Sequence, residues 1–316
     1  MSRRSFFLLP FSFLILSTFA AETIDAPNYT RTEDIIYRRK FGVALTMDMI
    51  KPKEKLNGLG VIFCVSGGWI SDHDQVPVAM LACVPYLTRG YTIFAVCHGA
   101  QPKFTIPECI EDMQMAVRFI RMHAKDYGID PDRIGITGGS AGGHLALMMG
   151  VSGDDGNPKA KNPVERVSSK VQCVASFFPP TDFLNYGKPG ESALGAGVLK
   201  DFPAPFDFHV FDKTQNKYVP VTDPEKRNEI ARAISPAYHV TATTPPTIIA
   251  HGDADKLVPI QQAQLMIEKL KAAGVDCELI VRKGGGHGWD DIYTHVEMCA
   301  EWFDAHLKDS PAKGQK

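Results

Sequence analysis

Asp132-Arg133-Ile134-Gly135-Ile136-Thr137-Gly138-Gly139-Ser140-Ala141-Gly142-Gly143-His144-Leu145-Ala146-Leu147-Met148-Met149 is the stretch from which the rest of the chain can be read. It opens as a short apolar strand and closes as an apolar helix, and at the junction a serine stands between residues with little or no side chain. A strand that turns sharply into a helix forces unusual backbone angles on the residue at the corner and crowds its neighbours, so small residues are needed on both sides. The hydroxyl of Ser140 is then presented above the sheet. The first turn of the new helix aims N–H groups and its positive dipole end at the same point, where an oxyanion would be stabilised.

A serine hydroxyl is a weak nucleophile at neutral pH and needs a histidine base, itself oriented by a carboxylate. Both follow later in the chain. Thr247-Ile248-Ile249-Ala250-His251-Gly252-Asp253-Ala254-Asp255 is an apolar strand running into a turn with two aspartates, and Cys277-Glu278-Leu279-Ile280-Val281 is a strand leading to Lys283-Gly284-Gly285-Gly286-His287-Gly288. The order Ser, Asp, His is the one found in the α/β-hydrolase architecture.

Working outward, Asp34 to Lys40 and Val43 to Ile50 read as a hairpin around Phe41-Gly42. Six further apolar runs begin at Gly60, Tyr91, Ile134, Val171, Thr247 and Cys277. Near-continuous apolar strands are buried on both faces, as in a parallel sheet. Helical patterns lie between most of them, the clearest from Pro107 to Tyr127, others from Ile260 to Ala273 and from Asp291 to Leu307. The fold class is therefore α/β: a mostly parallel eight-stranded sheet with helices on both faces. Residues 185–232 break the rhythm with prolines, glycines and Phe202, Phe206, Phe208 and Phe211, too long for an ordinary connection. They are placed to form a lid over the active-site face.

The chain of 316 residues has a formal net charge of −2, which offers no basic surface for nucleic acid. Residues 2–4, Ser-Arg-Arg, precede an apolar run from Phe6 to Phe19, with small residues at Thr18 and Ala20 before Ala21. This reads as a signal peptide over residues 1–20, a hydrolase domain over 21–312, and a secreted or periplasmic protein without a retained membrane span. Loss of Arg3 and Arg4 would take the net charge from −2 to −4. The seven cysteines have no metal-ligand spacing and are read as small buried hydrophobes. No sequence feature sets an oligomeric state.

Over roughly residues 33 to 307 the sequence resembles the α/β-hydrolase esterases related to hormone-sensitive lipase, and within them the small carbohydrate- and feruloyl-type esterases. The resemblance rests on Tyr127-Gly128-Ile129-Asp130-Pro131-Asp132-Arg133-Ile134, on Gly139-Ser140-Ala141-Gly142-Gly143-His144, on Phe177-Phe178-Pro179-Pro180-Thr181-Asp182-Phe183, on His251-Gly252-Asp253-Ala254-Asp255 through Val258-Pro259, and on Gly286-His287-Gly288. It implies a family His-Gly-Gly-Gly-Trp oxyanion segment, which here is Val65-Ser66-Gly67-Gly68-Trp69, with the histidine and first glycine replaced. The implied oxyanion donors are the N–H groups of Gly67, Gly68 and Ala141.

The expected catalytic residues are Ser140, Asp255 and His287. Asp253 and Asp182 are rival acids, and the resemblance favours Asp255. His98, His144 and His251 are read as structural. Asp72-His73-Asp74 and Asp154-Asp155-Gly156-Asn157 lack the spacing of a recognised metal site and read as solvated loops, so no metal or cofactor is expected. Trp69 and Trp289 are candidate flat faces for a sugar or aromatic ring. The expected activity is hydrolysis of short acyl esters, acetyl above all, on a carbohydrate or similar small-molecule alcohol. A serine peptidase or amidase of the same fold, and a binding module on a weakened hydrolase scaffold, are the alternatives.

Overall fold

The computed structural model describes residues 28–308; the expected leader and the last residues of the polar tail lie outside that range. The chain begins with β1 (Tyr29–Lys40) and β2 (Val43–Pro52), an antiparallel pair in which Lys40 faces Val43. The two residues between them, Phe41 and Gly42, both have positive φ, as a two-residue hairpin turn of matching twist requires.

There follow β3 (Gly60–Val65), α1 (Val76–Thr88), β4 (Thr92–Cys97), α2 (Ile106–Met122), the single turn α3 (Ala124–Tyr127), β5 (Ile134–Gly139), α4 (Ala141–Ser152) and β6 (Cys173–Phe177). A small hairpin, β7 (His209–Asp212) and β8 (Lys217–Pro220), and α5 (Pro224–Ala233) come next. The chain returns to the sheet with β9 (Thr247–Gly252), α6 (Gln261–Ala272), β10 (Cys277–Arg282) and α7 (Ile292–Phe303), ending in a wider helical turn, Asp304–Lys308.

The main sheet has eight strands in the order β1-β2-β4-β3-β5-β6-β9-β10. β2 runs antiparallel to β4, and every pair from β4 to β10 is parallel. β4, β6 and β9 are buried along their whole length, whereas β10, at the sheet edge, alternates. This is the burial expected of strands covered on both faces by helices. Two apolar cores lie on the two sides of the sheet: one gathers Cys109 and Met113 of α2, Leu145 and Met149 of α4 and Met266 of α6, the other Tyr86 of α1 and Val296 and Phe303 of α7.

The helix expected over Pro107–Tyr127 divides at His123 into α2 and α3. It starts one residue earlier, where Thr105 and Glu108 form a capping box, with the Glu108 carboxylate accepting from the Thr105 N–H at 2.7 Å. α1 had no clear sequence signal, because its apolar residues lack helical periodicity and Pro85 lies inside it. All seven cysteines are free and six are buried. Among the described residues no helix is long and apolar enough to cross a membrane.

The interrupting stretch folds on the carboxyl-end rim of the sheet. Phe206 and Phe208 are buried, Phe206 packing 5.5 Å from Trp69, and the ring of Phe202 lies so close to Gly68 that a Cβ there would meet it at 2.8 Å. Tyr218 of the β7–β8 hairpin leans on Phe41 in the β1–β2 turn, with 6.3 Å between ring centroids.

Candidate active site

Ser140 sits at the corner between β5 and α4 with φ 54° and ψ −121°, a conformation that costs a non-glycine residue energy. Two hydrogen bonds hold it there: its N–H donates to the Phe177 carbonyl and its own carbonyl accepts from the His144 N–H, both at 2.9 Å. The flanking glycines are required by close approach. A Cβ on Gly138 would come within 2.6 Å of the Gly142 carbonyl, and one on Gly142 within 2.6 Å of the Cys64 carbonyl. The sequence folds into an elbow because no other residue lets β3, β5 and α4 approach so closely.

Ser140 Oγ lies 2.9 Å from His287 Nε2, and His287 Nδ1 lies 2.7 Å from Asp255 Oδ2. The other carboxylate oxygen of Asp255 accepts from the N–H groups of Leu257 and Val258 at 2.9 Å each. Burial alone would push the Asp255 carboxyl up, but hydrogen bonds from His251, His287 and Val258 hold it well below the usual carboxylate range. An ionised carboxylate only accepts, so the proton of neutral His287 resides on Nδ1 and Nε2 is left to accept from the Ser140 hydroxyl. The site can therefore pass a proton from a nucleophile to a base whose charge is stabilised from behind.

The rival acids are engaged elsewhere. Asp253 is exposed and braces the histidine loop by accepting from the Gly284 N–H at 2.6 Å. Asp182 accepts from the N–H groups of Leu184 and Asn185 and from the Tyr238 hydroxyl, and anchors its own loop. Asp182→Asn is accordingly expected to keep ester turnover within about threefold of the parent, since it touches no reacting group; a loss comparable to that of a change at Asp255 would reverse the assignment.

On the oxyanion side one expected donor is corrected. The N–H of Gly67 donates to the Ile70 carbonyl at 2.9 Å and the Ile70 N–H returns the bond, so Gly67 is spent in closing a tight turn. The N–H groups of Gly68 and Ala141 carry no such turn bond. The turn has positive φ at both central residues, Gly68 (56°) and Trp69 (59°). For a tryptophan that is strained, and its side chain supplies the compensation: it is 3 % exposed, its indole N–H donates to His144 Nδ1 at 3.3 Å, and its ring packs on Phe183 and Phe206.

That burial removes Trp69 as an open face for substrate. Trp289 is likewise in the core, its indole N–H donating to His295 Nδ1 at 3.1 Å and its ring edge-on to Phe178. Both candidates for substrate stacking are thus packing residues. The aromatic ring the sequence reading passed over is Phe178, which stands 4.6 Å from the His287 ring and carries a positive φ of 39°. Its signal was its place directly after β6, beside the elbow.

His144 is buried, its Nε2 donating to the Ile234 carbonyl at 2.7 Å, and burial pushes its imidazole down to about 4. His251 donates to the Val258 carbonyl at 2.8 Å, with Asp255 Oδ2 at 3.5 Å. His73 leaves its neighbours Asp72 and Asp74 and meets Asp48 at 3.1 Å and Asp34 at 4.0 Å. Arg31 already neutralises that Asp48 carboxylate at 2.5 Å, which disfavours a cation there. Asp154 is taken by Arg118 and Asp155 by Lys170.

A family model matches residues 47–270, well over half of the chain, and spans the elbow and the acid-bearing turn. The chain belongs to the BD-FAE family. The BD-FAE match agrees with similarity to two curated proteins of Mycobacterium tuberculosis: the probable carboxylic ester hydrolase LipM, 29 % identical over 77 % of this chain and 52 % of its own length, and the esterase LipQ, 28 % identical over 76 % and 53 %. The chain thus spans about half the length of these relatives. Among solved structures, a truncated carbohydrate esterase from gut microbiota superposes with a TM-score of 0.73 at 22 % identity, covering 90 % of this chain and 99 % of the other. An acetyl ester-xyloside bifunctional hydrolase from Caldicellulosiruptor lactoaceticus gives 0.69 at 23 %, covering 89 % and 97 %. These structures establish for this BD-FAE member an α/β-hydrolase fold.

Proposed function

We propose that this chain is a serine carboxylesterase acting through an acyl-enzyme. The observation that carries the reading is the continuous line Asp255–His287–Ser140, at 2.7 and 2.9 Å, ending at the strained corner that opens α4. In the first step Ser140 Oγ attacks the ester carbonyl carbon while His287 Nε2 takes the hydroxyl proton. The carbonyl oxygen becomes an oxyanion facing the N–H groups of Gly68 and Ala141. His287 then protonates the departing alcohol. A water activated at the same nitrogen attacks the acyl-enzyme, and collapse releases the acid and restores Ser140. Asp255 fixes the tautomer of His287 and stabilises its cation. These steps use only side chains and backbone groups of the protein.

For the substrate we propose short acyl groups, acetyl first, on a carbohydrate or similarly polar alcohol. Support comes from the names of the relatives and structural neighbours, which include a carbohydrate esterase and an acetyl ester hydrolase. It also comes from Phe202, whose ring packs against Gly68, in keeping with residues 185–232 serving as a lid. Export to the periplasm or medium is read from residues 1–20 alone, and it suits an enzyme that meets acetylated polysaccharide outside the cell. Rates on p-nitrophenyl esters from acetate to decanoate test the acyl preference: acetate and butyrate should exceed octanoate by about tenfold or more, the discrimination a closed apolar wall supplies. Acetylated xylan oligosaccharides should release acetate. Preference for octanoate, or no acetate release, removes the carbohydrate reading and leaves the serine-esterase reading in place.

A further inference from the structure

The loop that presents the oxyanion donor is gripped at both ends by one residue outside the catalytic line. Ser66 Oγ lies 2.8 Å from His98 Nε2, and His98 Nδ1 lies 2.8 Å from the Gly99 carbonyl oxygen. A carbonyl only accepts, so Nδ1 carries the hydrogen and Nε2 accepts from the Ser66 hydroxyl. At the far end of the loop Ser71 Oγ donates to the Val65 carbonyl at 2.5 Å and accepts from the backbone N–H of the same His98 at 3.1 Å. Midway, the Gln101 N–H donates to the Trp69 carbonyl at 3.2 Å. His98 is 3 % exposed, and burial pushes its imidazole down to about 4, only partly offset by the Gly99 carbonyl. The ring stays neutral and keeps its acceptor nitrogen throughout the range in which a serine esterase works.

We propose that Ser66 and His98 are positioning residues: by closing the Ser66–Ser71 loop onto the end of β4 they fix the Gly68 N–H where the tetrahedral oxyanion forms. The proposal rests on the reading of Ser140 as nucleophile. Three features make such a clamp necessary. The Gly67 N–H is consumed within the turn, so Gly68 is the donor this loop has to place. The turn carries two successive left-handed residues, one of them a tryptophan, and strain of that kind persists only where the surroundings over-determine it. On the elbow side the start of the loop is met by backbone: a Cβ on Gly142 would sit 3.5 Å from the Ser66 carbonyl oxygen, in ordinary van der Waals contact, and the loop's side-chain tie there comes only further on, from the Trp69 indole to His144. The hydroxyl at position 66, one of the two departures from the His-Gly-Gly-Gly-Trp pattern, is therefore the side chain that ties the start of the loop down.

Ser66→Ala removes the hydroxyl and leaves the backbone. Its kcat on p-nitrophenyl acetate is expected to fall about tenfold to hundredfold, the cost of letting a donor drift by a fraction of an ångström to an ångström. Affinity for an alkyl trifluoromethyl ketone, which binds as a tetrahedral adduct with an oxyanion, should fall in proportion, while KM moves by less than about threefold. Ser66→Thr keeps the hydroxyl and should stay within about threefold of the parent in both measurements. A folded Ser66→Ala that keeps kcat and ketone affinity within about twofold overturns the proposal, as does a Ser66→Thr as impaired as the alanine variant. Should Ser66→Ala not fold, Ser71→Ala cuts the other end of the loop and is read by the same two measurements, with the same outcomes deciding. A parent protein that hydrolyses no ester refutes the esterase reading itself, whereas an active parent with indifferent variants refutes only the clamp.

Discussion

Ser140→Ala is expected to lower ester turnover on the order of a millionfold, because the side chains of such a site act as a unit and lose nearly everything when the nucleophile goes. The fold should survive. The backbone bonds that hold the corner, from the Ser140 N–H to Phe177 and from the His144 N–H to the Ser140 carbonyl, do not involve the side chain. Residual activity should come from the Gly68 and Ala141 N–H groups acting on a water-driven reaction. The check is kcat on p-nitrophenyl acetate beside a thermal melt; a folded variant retaining a tenth of parental turnover would mean that another residue attacks the ester.

Asp255→Asn is expected to cost less, roughly ten-thousandfold in kcat. The geometry says why the loss should be that large. The N–H groups of Leu257 and Val258 both donate to Oδ1, so an asparagine there must turn its oxygen toward them and its NH2 toward His287 Nδ1. A donor facing Nδ1 leaves that nitrogen as acceptor and drives the imidazole proton to Nε2, which then points a hydrogen at Ser140 Oγ. The base is present in the wrong tautomer. Because the turn bonds are kept, the melting temperature should change little compared with the rate, and measuring both in one preparation separates tautomer from unfolding. Equal losses in the two would contradict the argument.

The central strands were legible because their chemistry is one-dimensional: Val61 to Val65 and Ile93 to Val96 are apolar throughout, and only a strand covered on both faces tolerates that. The elbow was legible for a related reason, since Gly138 and Gly142 are fixed by backbone approach and leave a pattern of missing side chains. What stayed hidden depends on direction or on distant partners. The sequence shows that Gly67 has an N–H but not that it turns back to Ile70, and it shows two tryptophans beside motifs but not that both indoles point inward to His144 and His295. α1 gave no sign because a helix apolar on most sides, with a proline inside, has neither period nor cap to announce it. Ser66 stood out as a departure from a pattern, yet its meaning lies 32 residues away, in His98.

The central claim is that Ser140 is a nucleophile activated by His287, and covalent capture tests it without knowledge of the natural substrate. The folded protein is treated with an alkyl fluorophosphonate, and the modified residue is located by peptide mass spectrometry. The account predicts one adduct per chain, on Ser140, formed far more slowly in His287→Ala and absent in Ser140→Ala. A well-folded protein that takes up no label, or takes it up at another residue while Ser140 remains free, would contradict it.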